Sequence, residues 1–157
     1  MDAVELLRAA QRDETVARVR RGMALRELVT QCGSQSAASR VLGITQPAVS
    51  QQLRALGPID MIATDIVVDA AAPLLKQAAA EHGFHDLAVF GSTARGDADS
   101  TSDVDLLVTE PDGATLFDVA RLRRRFEEIL ARPVDLVLWG ALDERDDADI
   151  IREAVRL

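Results

Sequence analysis

The sequence predicts an α+β protein, with an all-helical N-terminal domain followed by a small domain in which helices flank a short mixed sheet. Apolar residues recur at helical spacing through residues 1–56. From residue 87 onward, short apolar runs typical of buried strands alternate with helical patterns. The charge changes as well: residues 1–56 carry eight arginines and five acidic residues, whereas residues 57–157 carry ten basic and twenty-one acidic residues. We therefore expect two domains with different partners.

Length and composition narrow the classes of protein to consider. The 157 residues are 48% hydrophobic, which is enough for a packed core, and the net charge of −8 excludes a polycationic protein. No apolar run approaches the roughly 18 residues of a membrane span, so no membrane partner is expected. Cys32 is the single cysteine, and the first residues do not form an apolar leader. These two features predict a cytoplasmic protein without disulfides.

The pattern between residues 36 and 56 predicts a helix-turn-helix. Gly43 permits a tight turn between two helices, Thr45 is suited to cap the second helix, and Pro47 fits its first turn. Three apolar residues are expected to bury one side of this second helix: Ile44, Val49 and Leu53. The Gly57-Pro58 pair should end it, so we place one domain at residues 1–57 and the next at 64–157.

Polar side chains are left on the outer side of the helix-turn-helix, where they suit base edges and phosphates. The candidate DNA contacts are Arg40, Thr45, Gln46, Ser50, Gln51 and Arg54. The run Thr-Gln-Pro-Ala-Val-Ser at 45–50 resembles the start of the recognition helix in LysR-like bacterial regulators. That resemblance implies binding to operator DNA. One module should bind weakly, so a homodimer is the expected form, although such helical units also serve as docking surfaces for proteins.

The second half is expected to contain three strands and three helices. We predict strands at 87–90, 104–109 and 134–139, and helices at about 68–82, 115–130 and 147–156. Pro73 should lie in the first turn of the helix that starts near residue 68.

The strongest chemical signal is a pair of acids at the start of the second strand. Side chains alternate along a strand, so Asp103 and Asp105 share one side, about 6.6 Å apart at Cα. Their carboxylates can converge on Mg²⁺, which prefers oxygen ligands and is often held by one or two carboxylates and substrate phosphates. Without a cation, two neighbouring acids would raise each other's pKa.

Two further elements complete the predicted site. Gly91 allows a sharp turn and close approach to a ligand, Ser92 and the amides after it can receive phosphate, and Arg95 can add a guanidinium. Asp135 is the one carboxylate inside the third strand, where a charge is costly unless it is paired or metal-bound. If that strand neighbours the second, three aspartates form a two-metal phosphoryl-transfer site.

The spacing of these residues resembles the minimal nucleotidyltransferases of the DNA polymerase β superfamily. Their pattern is Gly-Ser, ten residues, then Asp-x-Asp, as in residues 91–105 here. The resemblance implies two Mg²⁺ ions, ATP as the nucleoside triphosphate donor, and transfer of a nucleoside monophosphate to a hydroxyl. The resemblance implies that Asp103, Asp105 and Asp135 bind the metals and that Asp135 also helps to deprotonate the acceptor. It implies that Gly91 and Ser92 bind the terminal phosphates.

Size points to a protein acceptor, because about 100 residues leave no room for a separate acceptor-binding domain. Minimal nucleotidyltransferases of this kind resemble antitoxins that pair with HEPN-domain ribonuclease toxins and adenylylate them. The chain has no tyrosine, which excludes tyrosine self-modification, and its helix-turn-helix suggests autoregulation. Two alternatives stay open: a DNA-binding regulator whose second domain only binds nucleotide, and a transferase for a small molecule such as an antibiotic.

Overall fold

The computed structural model describes residues 2–157 and confirms the predicted α+β architecture. The chain divides into two compact units, one running to Ile59 and the other spanning Asp60–Leu157. We describe each unit separately. Among the described residues, no helix has both the length and the apolar character that crossing a membrane requires.

The first unit consists of three helices whose ends follow local sequence signals. They are α1 (Ala3–Cys32), α2 (Gln35–Leu42) and α3 (Gln46–Leu56). Ser34 and Thr45 cap α2 and α3 by accepting hydrogen bonds from backbone amides. Gly43 ends α2 in the left-handed conformation, with φ of 66°, which makes the tight turn possible.

The core of the first unit forms between α1 and the two short helices. Val19, Ala38 and Val49 are fully buried, and Leu53 is half-buried. The expectation that Ile44 is buried is wrong, since its side chain is 38% exposed. Ile44 precedes the cap of α3, so it lies in the turn and does not share the buried side of the helix.

The second unit contains a four-stranded mixed sheet. Its strands are β1 (His85–Phe90), β2 (Val104–Thr109), β3 (Val134–Leu138) and β4 (Val155–Arg156), in the spatial order β3-β2-β1-β4. β1 is antiparallel to both β2 and β4, whereas β2 and β3 are parallel. Its helices are α4 (Thr64–Glu81), α5 (Gly91–Arg95), α6 (Leu116–Leu130) and α7 (Ala148–Glu153).

Strand β2 is buried on both sides for most of its length. Val104, Leu106 and Val108 alternate with Leu107, and all four are fully buried. Leu107 packs with Ala88 and Phe90, and partly buried side chains near the C-terminus cover this cluster: Val137, Trp139, Leu142, Ile150 and Ala154. Trp139 follows β3 and donates a hydrogen bond from Nε1 to the Asp86 carbonyl at 2.8 Å.

Two details differ from the sequence-based expectations. α4 begins at Thr64, so Pro73 lies inside the helix rather than in its first turn. The helix tolerates the missing N–H because Pro73 is exposed while seven apolar residues on the other side are buried: Val67, Val68, Ala70, Ala71, Leu75, Ala78 and Ala79. The last helix ends at Glu153, and Val155 and Arg156 instead pair with β1.

Candidate active site

The turn after β1 forms the first wall of the site. β1 ends at Phe90, and the short helix α5 covers Gly91–Arg95. Gly91 has φ of 67° and Gly96 has φ of 75°, conformations that L side chains rarely adopt. Ser92 is half-buried at the start of this segment, and Thr93 is buried. The Gly-Ser pair therefore forms a sharp bend directly at the end of a buried strand.

Asp105 lies against this bend. Its Cα pairs with that of Phe90, the residue before Gly91, across the antiparallel β1–β2 ladder. A Cβ atom on Gly91 would stand only 2.5 Å from the Asp105 Oδ2 atom. Glycine at position 91 thus leaves room for the carboxylate, and any other residue would collide with it.

Asp135 is the direct neighbour of Asp105 on β3, the strand that flanks β2 on the edge away from β1. The two residues are Cα partners in the parallel β2–β3 pair, so their side chains leave the same side of the sheet about 4.8 Å apart at the backbone. Asp103 lies two residues before Asp105, just before β2 begins. Asp105 is half-buried, whereas Asp103 and Asp135 are exposed. The strand carrying the third acid therefore does neighbour the strand carrying the pair.

The surroundings of Asp105 disfavour its charged form. Burial raises the pKa of Asp105, the nearby charges of Asp135 and Asp103 raise it further, and Arg95 acts in the opposite direction. A divalent cation would relieve this repulsion, and carboxylate oxygens are the donors that Mg²⁺ prefers. Within residues 2–157, however, no group of three or more His, Cys, Asp or Glu side chains is already close enough to hold a metal ion. The acids are neighbours that a cation would have to draw together.

Arg95 is held at the edge of the site by two acids. Its Nη1 atom lies 2.9 Å from Glu153 Oε2 on α7, and its Nε atom lies 3.4 Å from Asp97 Oδ2. The charge of Asp97 raises the pKa of Arg95, and Glu153 adds to this effect. Sequence reasoning missed Glu153, because its contact with Arg95 joins residues 58 positions apart.

The predicted DNA contacts all lie on the first unit. Arg40, Gln46, Gln51 and Arg54 are exposed, Thr45 is exposed while its side chain caps α3, and Ser50 is half-buried. The Gln46 amide donates a hydrogen bond to Gln35 Oε1 at 2.8 Å, which ties the start of α3 to the start of α2.

Comparison with known proteins agrees with the geometry of the second unit. Residues 74–157 match the nucleotidyltransferase domain family. The chain belongs to this family. A candidate protein adenylyltransferase of Methanocaldococcus jannaschii is 36% identical over 75 residues, which are 48% of this chain and 81% of that protein. The protein adenylyltransferase MntA of Thermococcus cleftensis is 34% identical over 80 residues, 51% of this chain and 81% of that protein.

A solved structure described as a candidate minimal nucleotidyltransferase supports the same assignment. It is 39% identical, has a TM-score of 0.54, and the match covers 59% of this chain and 95% of that structure. Residues 21–57 match the bacterial regulatory helix-turn-helix proteins of the lysR family. The chain is thus a nucleotidyltransferase enzyme of the minimal type that carries an N-terminal helix-turn-helix, as the sequence motifs predicted.

Proposed function

We propose that this nucleotidyltransferase transfers AMP from ATP to a hydroxyl group of a partner protein, in a reaction that requires two Mg²⁺ ions. The observation that carries the proposal is the register that pairs Asp105 with Asp135 beside the Gly91 bend. The two relatives named for protein adenylyltransferase activity support a protein acceptor. In this proposal residues 64–157 form the catalytic domain and residues 1–57 the DNA-binding domain.

The proposed reaction assigns a role to each site residue. Asp103, Asp105 and Asp135 would hold the magnesium ions, which supply positive charge against the phosphate oxygens. Gly91 and Ser92 would hold the terminal phosphates through backbone amides and a hydroxyl. Arg95 would give up its ion pairs with Glu153 and Asp97 to bind the triphosphate. The acceptor oxygen bonds to the α-phosphorus, the bond to pyrophosphate breaks, and Asp135 receives the hydroxyl proton.

The partner that we propose is a HEPN-type toxin, with this chain as its antitoxin. The resemblance of the motif to HEPN-associated nucleotidyltransferases supports the pairing, and the small size of the second unit favours an acceptor that brings its own surface. The site would then silence the toxin by modifying it, in the cytoplasm.

Transfer of label tests the enzymatic proposal directly. The full chain is incubated with α-labelled ATP, Mg²⁺ and the protein encoded by the adjacent gene, beside the variant Asp103→Ala/Asp105→Ala. We expect label on the partner with the wild type and none with the variant. Equal labelling of the partner by the wild type and the variant would contradict the assigned site.

A second candidate function follows from the helix-turn-helix match. The protein would be a DNA-binding regulator, active as a dimer, whose second unit only binds nucleotide. Nucleotide-dependent DNA binding without transfer to any partner would favour this function over catalysis. In either case, Gln46→Ala and Arg54→Ala should weaken binding to the promoter of the protein's own gene in a shift assay, and sedimentation with that DNA should give two chains per site.

A further inference from the structure

A buried arginine lies outside the predicted site but close to it in the chain. Arg132 stands in the turn between α6 and β3 and is only 8% exposed. Its Nε atom donates to the Leu130 carbonyl at 3.3 Å, and its Nη2 atom donates to the Ile62 carbonyl at 3.1 Å. Its Nη1 atom donates to the hydroxyl of Thr64. Burying a guanidinium is costly, and these hydrogen bonds offset the cost.

Thr64 links Arg132 to the loop that precedes Asp103. The residue is fully buried at the start of α4, and its hydroxyl donates to the backbone carbonyl of Asp99. The same oxygen thus accepts from Arg132 and donates to Asp99, so both of its hydrogen-bonding roles are used. Valine, which has nearly the same shape, could do neither.

Asp99 in turn organises the residues that lead into Asp103. Its carboxylate accepts hydrogen bonds from the Thr101 amide at 2.8 Å, the Thr101 hydroxyl at 2.7 Å and the Ser102 hydroxyl at 3.2 Å. Residues 99–102 therefore form one hydrogen-bonded turn, and Asp103 follows it directly.

The other end of the network leads to the third acid. Arg132 lies three residues before Asp135, and the carbonyl of Pro133 between them accepts a hydrogen bond from the Val104 amide at 3.0 Å. The two segments that present the acids are therefore linked twice before their strands begin, once through the backbone and once through the buried side chains.

We propose that Arg132 and Thr64 are positioning residues, which fix the loop before Asp103 relative to the turn before Asp135 and so set the spacing of the three carboxylates. This proposal rests on the proposed function for its catalytic consequence, but the geometric effect does not depend on it. Residues that orient metal ligands from outside typically change metal affinity or activity 10–100-fold when they are replaced.

The test compares Thr64→Val, which removes the hydroxyl, with Thr64→Ser, which keeps it. We expect Thr64→Val to raise the Mg²⁺ concentration for half-maximal transfer by about 10-fold or more, and Thr64→Ser to stay within about 3-fold of the wild type. Val68→Ala is the matched control for stability. Val68 is also buried in α4, but its side chain has no hydrogen-bonding atom and takes no part in the network. A Val68→Ala protein with the same loss of Tm and the same Mg²⁺ dependence as Thr64→Val would overturn the proposal.

Amide hydrogen exchange supplies a readout that needs no activity. Thr64→Val should speed exchange in residues 97–105 in the absence of Mg²⁺ and nucleotide, while α2 and α3 exchange as in the wild type. Unchanged exchange in residues 97–105 would also overturn the proposal. If the wild type transferred no AMP but the exchange increased as expected, the proposed function would fail while the positioning role stood.

Discussion

The helical unit and the sheet unit present their polar residues in opposite ways. In the helical unit, the candidate DNA contacts lie mostly on open surface, and the residues between them fill the core. In the sheet unit, Asp105 is half-buried between a glycine bend and a second acid, and its neighbours raise its pKa. Exposed polar residues can bind a ligand without lowering the stability of the fold. The cation site that we propose from these carboxylates requires the fold to hold like charges close together.

Replacing Asp105 should give the largest effect and should separate the two units most clearly. Asp105→Asn keeps the size of the side chain but removes its charge and replaces one oxygen of a proposed metal ligand with an amide nitrogen. We expect transfer of AMP to fall by more than about 100-fold, because even indirect ligand partners are worth 10–100-fold. Filter binding to promoter DNA without nucleotide should be unchanged. Loss of both activities together would show that the units do not work independently.

Replacing Gly91 should combine a cost to the fold with a cost to the site. Gly91→Ala places a methyl group 2.5 Å from Asp105 Oδ2 at a residue with φ of 67°. Gly113→Ala is the matched control, since Gly113 has φ of 79° and nothing within 4 Å of an added Cβ. Gly113→Ala should lose about 1–2 kcal/mol of unfolding free energy in urea titrations, from the left-handed backbone. Gly91→Ala should lose at least as much, because its methyl group also collides with the Asp105 carboxylate. Only Gly91→Ala should also lose transfer activity, by about 10-fold or more.

Replacing Arg54 tests whether the surface of the helical unit binds phosphate. Arg54→Ala should weaken promoter binding by a similar factor for every sequence and lower the slope of log K against log salt by about one. Arg123→Ala is the control, because Arg123 is an exposed arginine on α6 of the other unit. If the two variants bind equally well across a salt series, α3 is not the DNA-reading helix.

The smallest expected effect is a gain in stability when Asp105 of the candidate active site loses its charge. Because the pKa of Asp105 is raised in the folded state, folding binds protons between the ordinary aspartate pKa and the raised value. This residue therefore opposes folding increasingly as the pH rises through that interval, and fully above the raised value. Asp105→Asn should be more stable than the wild type at pH 7 in EDTA, and the difference should vanish in acid below the ordinary aspartate pKa.

The control for this measurement is an exposed acid outside the candidate site. Asp149→Asn removes the charge of a side chain that is 86% exposed and forms a surface ion pair with Arg152, at 3.2 Å. It should give no such gain in urea unfolding at pH 7. Added Mg²⁺ should reduce the advantage of Asp105→Asn, since a ligand that binds the folded wild type stabilises it.

Much of the architecture was predictable because the signals are local. Ser34, Gly43 and Thr45 mark helix ends by their own chemistry, and the apolar alternation around Leu106 marks a strand. The sequence alone did not establish that β3 lies beside β2, because strand order depends on contacts between residues about 30 positions apart. The short strand β4 escaped prediction because two residues carry no period. Arg132 and Thr64 escaped it because their link spans 68 positions.

Trp139 gives the sheet unit an optical label of its own. It is the single tryptophan of a chain without tyrosine, and its indole is anchored to Asp86 beside the cluster that covers β2. Its fluorescence therefore reports on the sheet unit alone, while circular dichroism is dominated by the helices of both. Recording the two signals during one denaturation would show whether the units melt together or in sequence, with no dye attached.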